Sequence, residues 1–397
     1  MRKFLAFLLC FVFAFSFPAD ARVISEEEID LTPLPAVPTV ATAEELELNS
    51  KSAILMEPTT GKILYESNQD EKIPPASITK IMSLILIMEA IENGQFGFDT
   101  MLSCSETAAS LGGSQIWLEV NEQMSVHDLI KAVAVVSAND ATVLLAEAVA
   151  GSEESFVNMM NQKAKALGMN NTNFVNSTGL DHENHYSSAH DVAIMSAELL
   201  KHEKITEYTT IWMDALRNGE SELVSTNKLV RFYKGCTGLK TGTTAHAGYC
   251  LSASAKRDGL ELVAVVMGAD TSAHRFGAAQ KLLNYGFANF TGVTVTPDID
   301  EGTVVPVKKG TVRSIGVKVD GSFSTVLKKS LKGKITTESI LPDEISAPIK
   351  KGQAIGQVRI LLDGEEIGNL ELVATENAHK INLWRSFVIL LKYLFSL

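Results

Sequence analysis

A chain of 397 residues, 46% of them hydrophobic, has room for two domains and enough apolar content to fill their cores. Its net charge of −12 supplies no basic surface for tracking phosphates, which argues against a nucleic-acid partner. Four cysteines, with Cys10 inside an N-terminal leader, make no disulfide framework; no C-x-x-C occurs, and no metal or cofactor is implied.

The chain opens Met1-Arg2-Lys3, stays apolar over residues 4–17, and reaches Ala19-Asp20-Ala21, the small-x-small pattern of a signal-peptidase site. The apolar run falls short of the roughly 20 residues that a spanning helix needs. Residues 1–21 therefore read as a cleaved signal peptide, and the protein as secreted. Residues 22–48 carry Glu26, Glu27, Glu28 and Pro33, Pro35, Pro38 without any periodicity, and read as an acidic arm or linker.

Residues 49–290 read as one domain. Strands are predicted over 52–56 and 62–65, joined at Pro58-Thr59-Thr60-Gly61. Pro74-Pro75-Ala76 then leads into Ser77 and an apolar run over 78–91 that stops at Asn93-Gly94, the pattern of a buried helix. Ser77 and Lys80 stand three residues apart, so both side chains emerge on one helix face. The helix N-terminus favours developing negative charge at Ser77. A serine needs a base to become a nucleophile, and a lysine in apolar surroundings is suited to that task. The plainer reading of such a pattern is a serine cap and an incidental lysine. Ser225-Thr226-Asn227-Lys228 matches the same pattern without an apolar helix behind it and is assigned to that plainer reading.

Helices are predicted over 129–136 and 141–150, interrupted at Ser137-Ala138-Asn139-Asp140, polar residues that break one helix and cap the next. The functional alternative turns Ser137 and Asn139 toward a cleft, one relaying a proton and the other binding an amide. His182, His185 and His190 lie near Asp181, Glu183 and Asp191, but their spacing matches no helical ligand pair. A polar loop with Ser187-Ser188 capping a helix over 189–200 is simpler. Lys240, Thr241 and Gly242 open a strand, followed by a strand pair over 249–255 and 260–268 about Asp258-Gly259. Such a strand can dock an extended peptide: Gly242 permits close approach, Thr241 donates a hydrogen bond, and Lys240 attracts a carboxylate. Cys236 and Cys250 flank it, either paired across the hairpin or as separate buried thiols.

Residues 296–376 alternate as short strands with turns at Asp320-Gly321 and Asp363-Gly364, the pattern of a small β-sandwich without a nucleophile–base pair. No acidic residue follows Glu376. Residues 378–397 are mostly apolar, with Trp384, Phe387, Tyr393 and Phe395, and Arg385 and Lys392 fall on one side of a helix. That suits an amphipathic helix lying in a membrane interface; packing on the protein's own core is the competing reading.

In order, Ser77-x-x-Lys80, Ser137-x-Asn139 and Lys240-Thr241-Gly242 resemble the three motifs of the D-alanyl-D-alanine carboxypeptidase family of serine peptidases, the low-molecular-mass penicillin-binding proteins. Gly112-Gly113-Ser114, Trp117-Leu118-Glu119, His185-Tyr186-Ser187 with Asp191, and Ala247-Gly248-Tyr249 are similar to the family as well. The resemblance implies an α+β catalytic domain of the β-lactamase/transpeptidase type, a small C-terminal β-sandwich and a terminal amphipathic helix. It implies an enzyme anchored peripherally on the outer face of a bacterial cytoplasmic membrane. The implied substrate is a peptidoglycan stem peptide ending in D-Ala-D-Ala, with β-lactams as covalent inhibitors. Ser77 would attack, Lys80 would act as base, and Ser137 with Lys240 would deliver a proton to the leaving D-alanine. Asn139 would hold the substrate amide, the Ser77 and Thr243 N–H groups would form the oxyanion hole, and Arg275 would stand near the substrate carboxylate. Some members carry His directly after K-T-G, where this chain has Thr243. The rivals are a β-lactamase, whose class A form uses a Glu-x-x-Leu-Asn segment to position the deacylating water, and an inactive binding or sensor protein on the same fold.

Overall fold

The computed structural model describes residues 22–24, 32–39, 42–300 and 302–382, with Trp384, Phe387, Val388, Leu391 and Phe395. The expected signal peptide, residues 1–21, lies outside the described residues, as does most of the tail beyond residue 382. The chain divides into two compact units, one of Met1–Leu34, Lys72–Ser187 and Leu199–Cys250, the other of Pro35–Glu71, Ser188–Glu198 and Leu251–Leu397.

The first unit is built round the helix Lys80–Glu92, entered through a single 3-10 turn, Ala76–Thr79. Ile81, Met82, Leu84, Ile85, Leu86, Ile87 and Met88 leave no polar face, so the helix is buried all round. The helices Asn139–Ala150 and Glu153–Ala166 pack on it, and Lys163 Nζ ties the last of these to Glu89 at 2.5 Å. Helix Val126–Val136 starts where Ser125 Oγ accepts from Asp128 N. Strand Cys236–Thr244 runs against the Ala76–Thr79 turn. The predicted arm contributes a strand: Arg22–Ile24 pairs in parallel with Ser221–Val224, which pairs in turn with Met213–Leu216. Val23 and Ile24 are β-branched and suit a strand even within an acidic segment.

In the second unit an antiparallel sheet runs in the order Lys62–Ser67, Ser52–Glu57, Leu260–Ala269, Gly248–Arg257, the last strand being shared along the chain with the first unit. Val265 stands opposite Ile54, and Leu55 opposite Tyr65. Asp258 (φ 50°) and Gly259 (φ 79°) make the predicted two-residue hairpin. Helix Ser272–Asn289 packs on this sheet, and a Cβ on Gly286 would meet Leu262 Cδ1 at 2.5 Å and Leu55 Cδ2 at 2.9 Å.

Beyond the helix, Phe290–Val295 pairs with Phe323–Lys328. A six-stranded sheet then runs in the order Ile335–Ile340, Ala354–Leu362, Glu365–Ala374, Ser314–Val319, Val304–Lys308, Ile345–Ser346. Val305, Ile315, Val317, Ile349, Ala374 and Ala378 form its core. Among the described residues no helix is long and apolar enough to cross a membrane.

Candidate active site

Ser77 sits in the 3-10 turn and Lys80 opens the helix, so one turn separates them and both are buried. Lys80 Nζ lies 3.0 Å from Ser77 Oγ and 2.8 Å from the carbonyl oxygen of Thr178. The carbonyl belongs to a loop fixed at several points. Glu153 Oε1 accepts from Ser177 N and Oγ, Ser83 Oγ donates to Ser177 O, and Asn176 Oδ1 accepts from Gly179 N. A Cβ on Gly179 would lie 1.9 Å from Ala76 O, so only glycine lets the loop reach the serine turn.

His185 locks that loop to the serine turn. Its Nδ1 accepts from Val175 N at 3.2 Å, so in the neutral ring the proton is on Nε2, donated to Thr79 Oγ1 at 2.8 Å. Burial lowers its pKa to about 4, with a smaller contribution from His182. The histidine is thus a structural group. Unfolding frees a ring that titrates near 6.5, so this contribution is whole above that pH and is lost as pH falls toward 4. Urea unfolding should show stability falling by about 3 kcal/mol across that window. A His185→Gln variant should be less stable at neutral pH, with most of that slope gone; an unchanged slope would contradict the assignment.

The interruption after helix Val126–Val136 is made by Ser137 itself, in the left-handed region (φ 66°, ψ 27°). The expected side-chain cap is not formed, since Ala138 is the N-cap. Asp140 instead sends its buried carboxylate to the N–H groups of Ile116 and Leu118, and also accepts from Ala141 N. Arg217 holds the same Ile116–Leu118 loop from its carbonyl side, donating to Ile116 O at 3.0 Å and gripping both oxygens of Glu122. Between these anchors Trp117 stands exposed at φ 52°. Asn139 N donates to Ser114 O and Asn139 Nδ2 to Gly112 O, each at 2.7 Å. Asn139 Oδ1 and Ser137 Oγ are buried with no hydrogen-bond partner among the described residues. Buried polar atoms are usually paired, so each of these can take a hydrogen bond from substrate or water.

On strand Cys236–Thr244, Lys240 and Thr241 are buried, Lys240 Nζ lies 3.2 Å from Thr241 O, and Thr243 follows on the same strand. A Cβ on Gly242 would lie 2.8 Å from Pro75 O and 3.0 Å from the backbone nitrogens of Ser77 and Ile78. Strand and serine turn are therefore in backbone contact. Thr226, set aside in sequence with Ser225, in fact joins two parts of the site. Its N–H donates to Val135 O beside the Ser137 break, and its Oγ1 lies 2.6 Å from Thr241 Oγ1. Further along, Thr244 Oγ1 and His246 Nδ1 contact the two oxygens of Asp181. Burial would raise the Asp181 pKa, but these two partners outweigh it and hold the carboxyl below its usual range.

Arg275 belongs to the second unit, in the first turn of helix Ser272–Asn289. It is fully buried, with Nη2 3.4 Å from Ser272 Oγ and its guanidinium 4.7 Å from the Phe276 ring centroid. Cys104, Cys236 and Cys250 are thiols outside any disulfide among the described residues. Burial pushes Cys236 up to about 12 and Cys104 to about 11, which keeps both unreactive. Among the described residues no cluster of His, Cys, Asp or Glu could hold a metal.

Residues 39–271 match the family model for D-alanyl-D-alanine carboxypeptidase, and residues 291–380 that for the C-terminal domain of penicillin-binding protein 5. The chain is 44% identical over 340 residues to D-alanyl-D-alanine carboxypeptidase DacF of Bacillus subtilis, covering 85% of this chain and 87% of that one. Penicillin-binding protein 5 of Haemophilus influenzae superposes with a TM-score of 0.74 at 32% identity, over 84% of this chain and 98% of that one. Penicillin-binding protein D2 of Listeria monocytogenes, in its ampicillin-bound form, superposes at 0.56 with 33% identity, over 61% and 99%. The chain, with a serine and a lysine in contact at the head of a buried helix, belongs to the D-alanyl-D-alanine carboxypeptidase family of serine peptidases.

Proposed function

We propose that this enzyme removes the terminal D-alanine from peptidoglycan stem peptides through an acyl-enzyme on Ser77. The observation that carries the assignment is the 3.0 Å approach of Lys80 Nζ to Ser77 Oγ in a water-poor setting. Ser77 Oγ attacks the carbonyl carbon between the two D-alanines and its proton passes to Lys80. The C–N bond then breaks, and Ser137, with Lys240, delivers a proton to the departing amine. Water hydrolyses the ester and restores the serine.

The remaining roles are assigned to the polar groups of the three motifs. Asn139 Nδ2 is spent on Gly112 O, so Oδ1 is left to accept the N–H of a substrate amide. The Ser77 and Thr243 N–H groups receive the oxyanion, a contribution of about 3 kcal/mol in the transition state. Strand 240–243 takes the substrate backbone as an added strand, with Gly242 permitting the approach, while Lys240 and Thr241 serve the terminal carboxylate. A penicillin enters the same path and leaves a persistent acyl-enzyme on Ser77.

Residues 49–290 would carry catalysis, and residues 296–376 would link them to the tail. The family acts on the cell wall, outside the cytoplasm. The tail reads as a membrane-surface anchor: Trp384, Phe387 and Phe395 are 72%, 51% and 84% exposed, large aromatic residues with no apolar cover. The assay is release of free D-alanine from an acylated stem peptide ending in D-Ala-D-Ala. The native chain should release it and Ser77→Ala should not; a native chain that releases none would refute the proposal.

A further inference from the structure

After residue 301 the charge balance reverses. Fourteen lysines and arginines face nine carboxylates there, in a chain whose net charge is −12. Part of this excess is gathered in one place by the strand pairing. Segment 377–381 is stitched on one side to residues 309–311, through a Gly310–Lys380 bridge, Thr311 N to His379 O and Ile381 N to Lys309 O. On the other side it joins residues 349–351, through an Ile349–Ala378 bridge and Lys351 N to Asn377 Oδ1. Lys309, Lys350, Lys351 and Lys380 are thereby set on adjoining strand ends, all exposed. None of the four makes an ion pair among the described residues, whereas the neighbouring Lys308 is paired with Glu344. Asp343 and Glu376 are the other carboxylates close in sequence, leaving the cluster basic.

The position matters as much as the charge. This collar lies where residues 377–381 are paired, a few residues before Trp384 and Phe387, whose exposed rings lie 6.1 Å apart. We infer that the collar binds the anionic headgroups of a phospholipid surface, supplying the electrostatic half of a contact whose apolar half is the tail. The inference rests on the membrane-surface reading of the tail and names the lipid class it selects. Basic residues beside an inserted apolar segment draw it to anionic lipid, each one that reaches the headgroups adding about fivefold in partition at moderate salt.

The test is sedimentation of the full chain with vesicles of phosphatidylcholine alone, and of phosphatidylcholine mixed with phosphatidylglycerol. The full chain should prefer the anionic vesicles, and raised salt should erase the preference. A variant with Lys309, Lys350, Lys351 and Lys380 changed to Ser should lose about tenfold or more on anionic vesicles and nothing on neutral ones. All four sites are exposed, so folding should be unaffected, which D-alanine release by the variant would verify. A variant that keeps its preference for phosphatidylglycerol would overturn the collar and leave the tail anchor standing. A full chain that ignores both vesicle types would overturn the anchor and the collar with it. Tighter binding to soluble polyglycerol phosphate than to anionic vesicles would assign the lysines to a free phosphate polymer instead, and so overturn the inference.

Discussion

Replacing Lys80 by Met should leave a folded protein that penicillin acylates about 10³–10⁴-fold more slowly than the native chain. Met fills similar space in the buried helix and has no base to take the Ser77 proton. It also abandons the carbonyl oxygen of Thr178, which the lysine meets at 2.8 Å. An orphaned buried carbonyl costs about 1–3 kcal/mol, so the melting temperature should drop without loss of the fold. The rate is read as covalent label on denatured protein against time, with the melting curve run alongside. A folded variant labelled at the native rate would show that another group activates the serine.

Gly242→Ala should slow acylation by about 10²-fold, although it adds a single methyl group. The new carbon would sit 2.8 Å from Pro75 O and 3.0 Å from the nitrogens of Ser77 and Ile78. All three are backbone atoms, so no side chain can rotate aside to make room. Either the strand carrying Lys240 and Thr243 or the turn carrying Ser77 must shift, and the proposed oxyanion donors lie one on each. Gly333→Ala, where no heavy atom lies within 4 Å of the added carbon, serves as the control and should leave the rate unchanged. A Gly242→Ala enzyme acylated at the native rate would mean that the contact between strand and turn does not govern the reaction.

How far the sequence could be read depended on whether a residue's type announces its task. Ser77 and Lys80 are three apart on an apolar run, so helical geometry alone puts their side chains together, and they are found 3.0 Å apart. Asp258-Gly259 likewise carries its own turn instruction. The Thr178 carbonyl does not, because every residue has one; its use as a partner for Lys80 depends on a loop 98 residues away. Asp140 looked like a cap from its neighbours, yet its carboxylate reaches backbone N–H groups 22 and 24 residues earlier. Thr226 was hidden by a chance resemblance around Ser225, and only the fold brings it to Thr241. The residues proposed to do the chemistry were legible as motifs, while those that hold them in place are generic groups made specific by long-range packing.

In the proposed mechanism one serine ester lies on the path of both peptide and antibiotic. The most direct measurement titrates D-alanine release from a D-Ala-D-Ala stem peptide against penicillin, with mass mapping of the labelled protein at each point. If Ser77 serves both, release should fall in proportion to label, reach zero at one antibiotic per chain, and place the whole added mass on the peptide bearing Ser77. Release that persists in fully labelled protein, or label that maps to another residue, would contradict it.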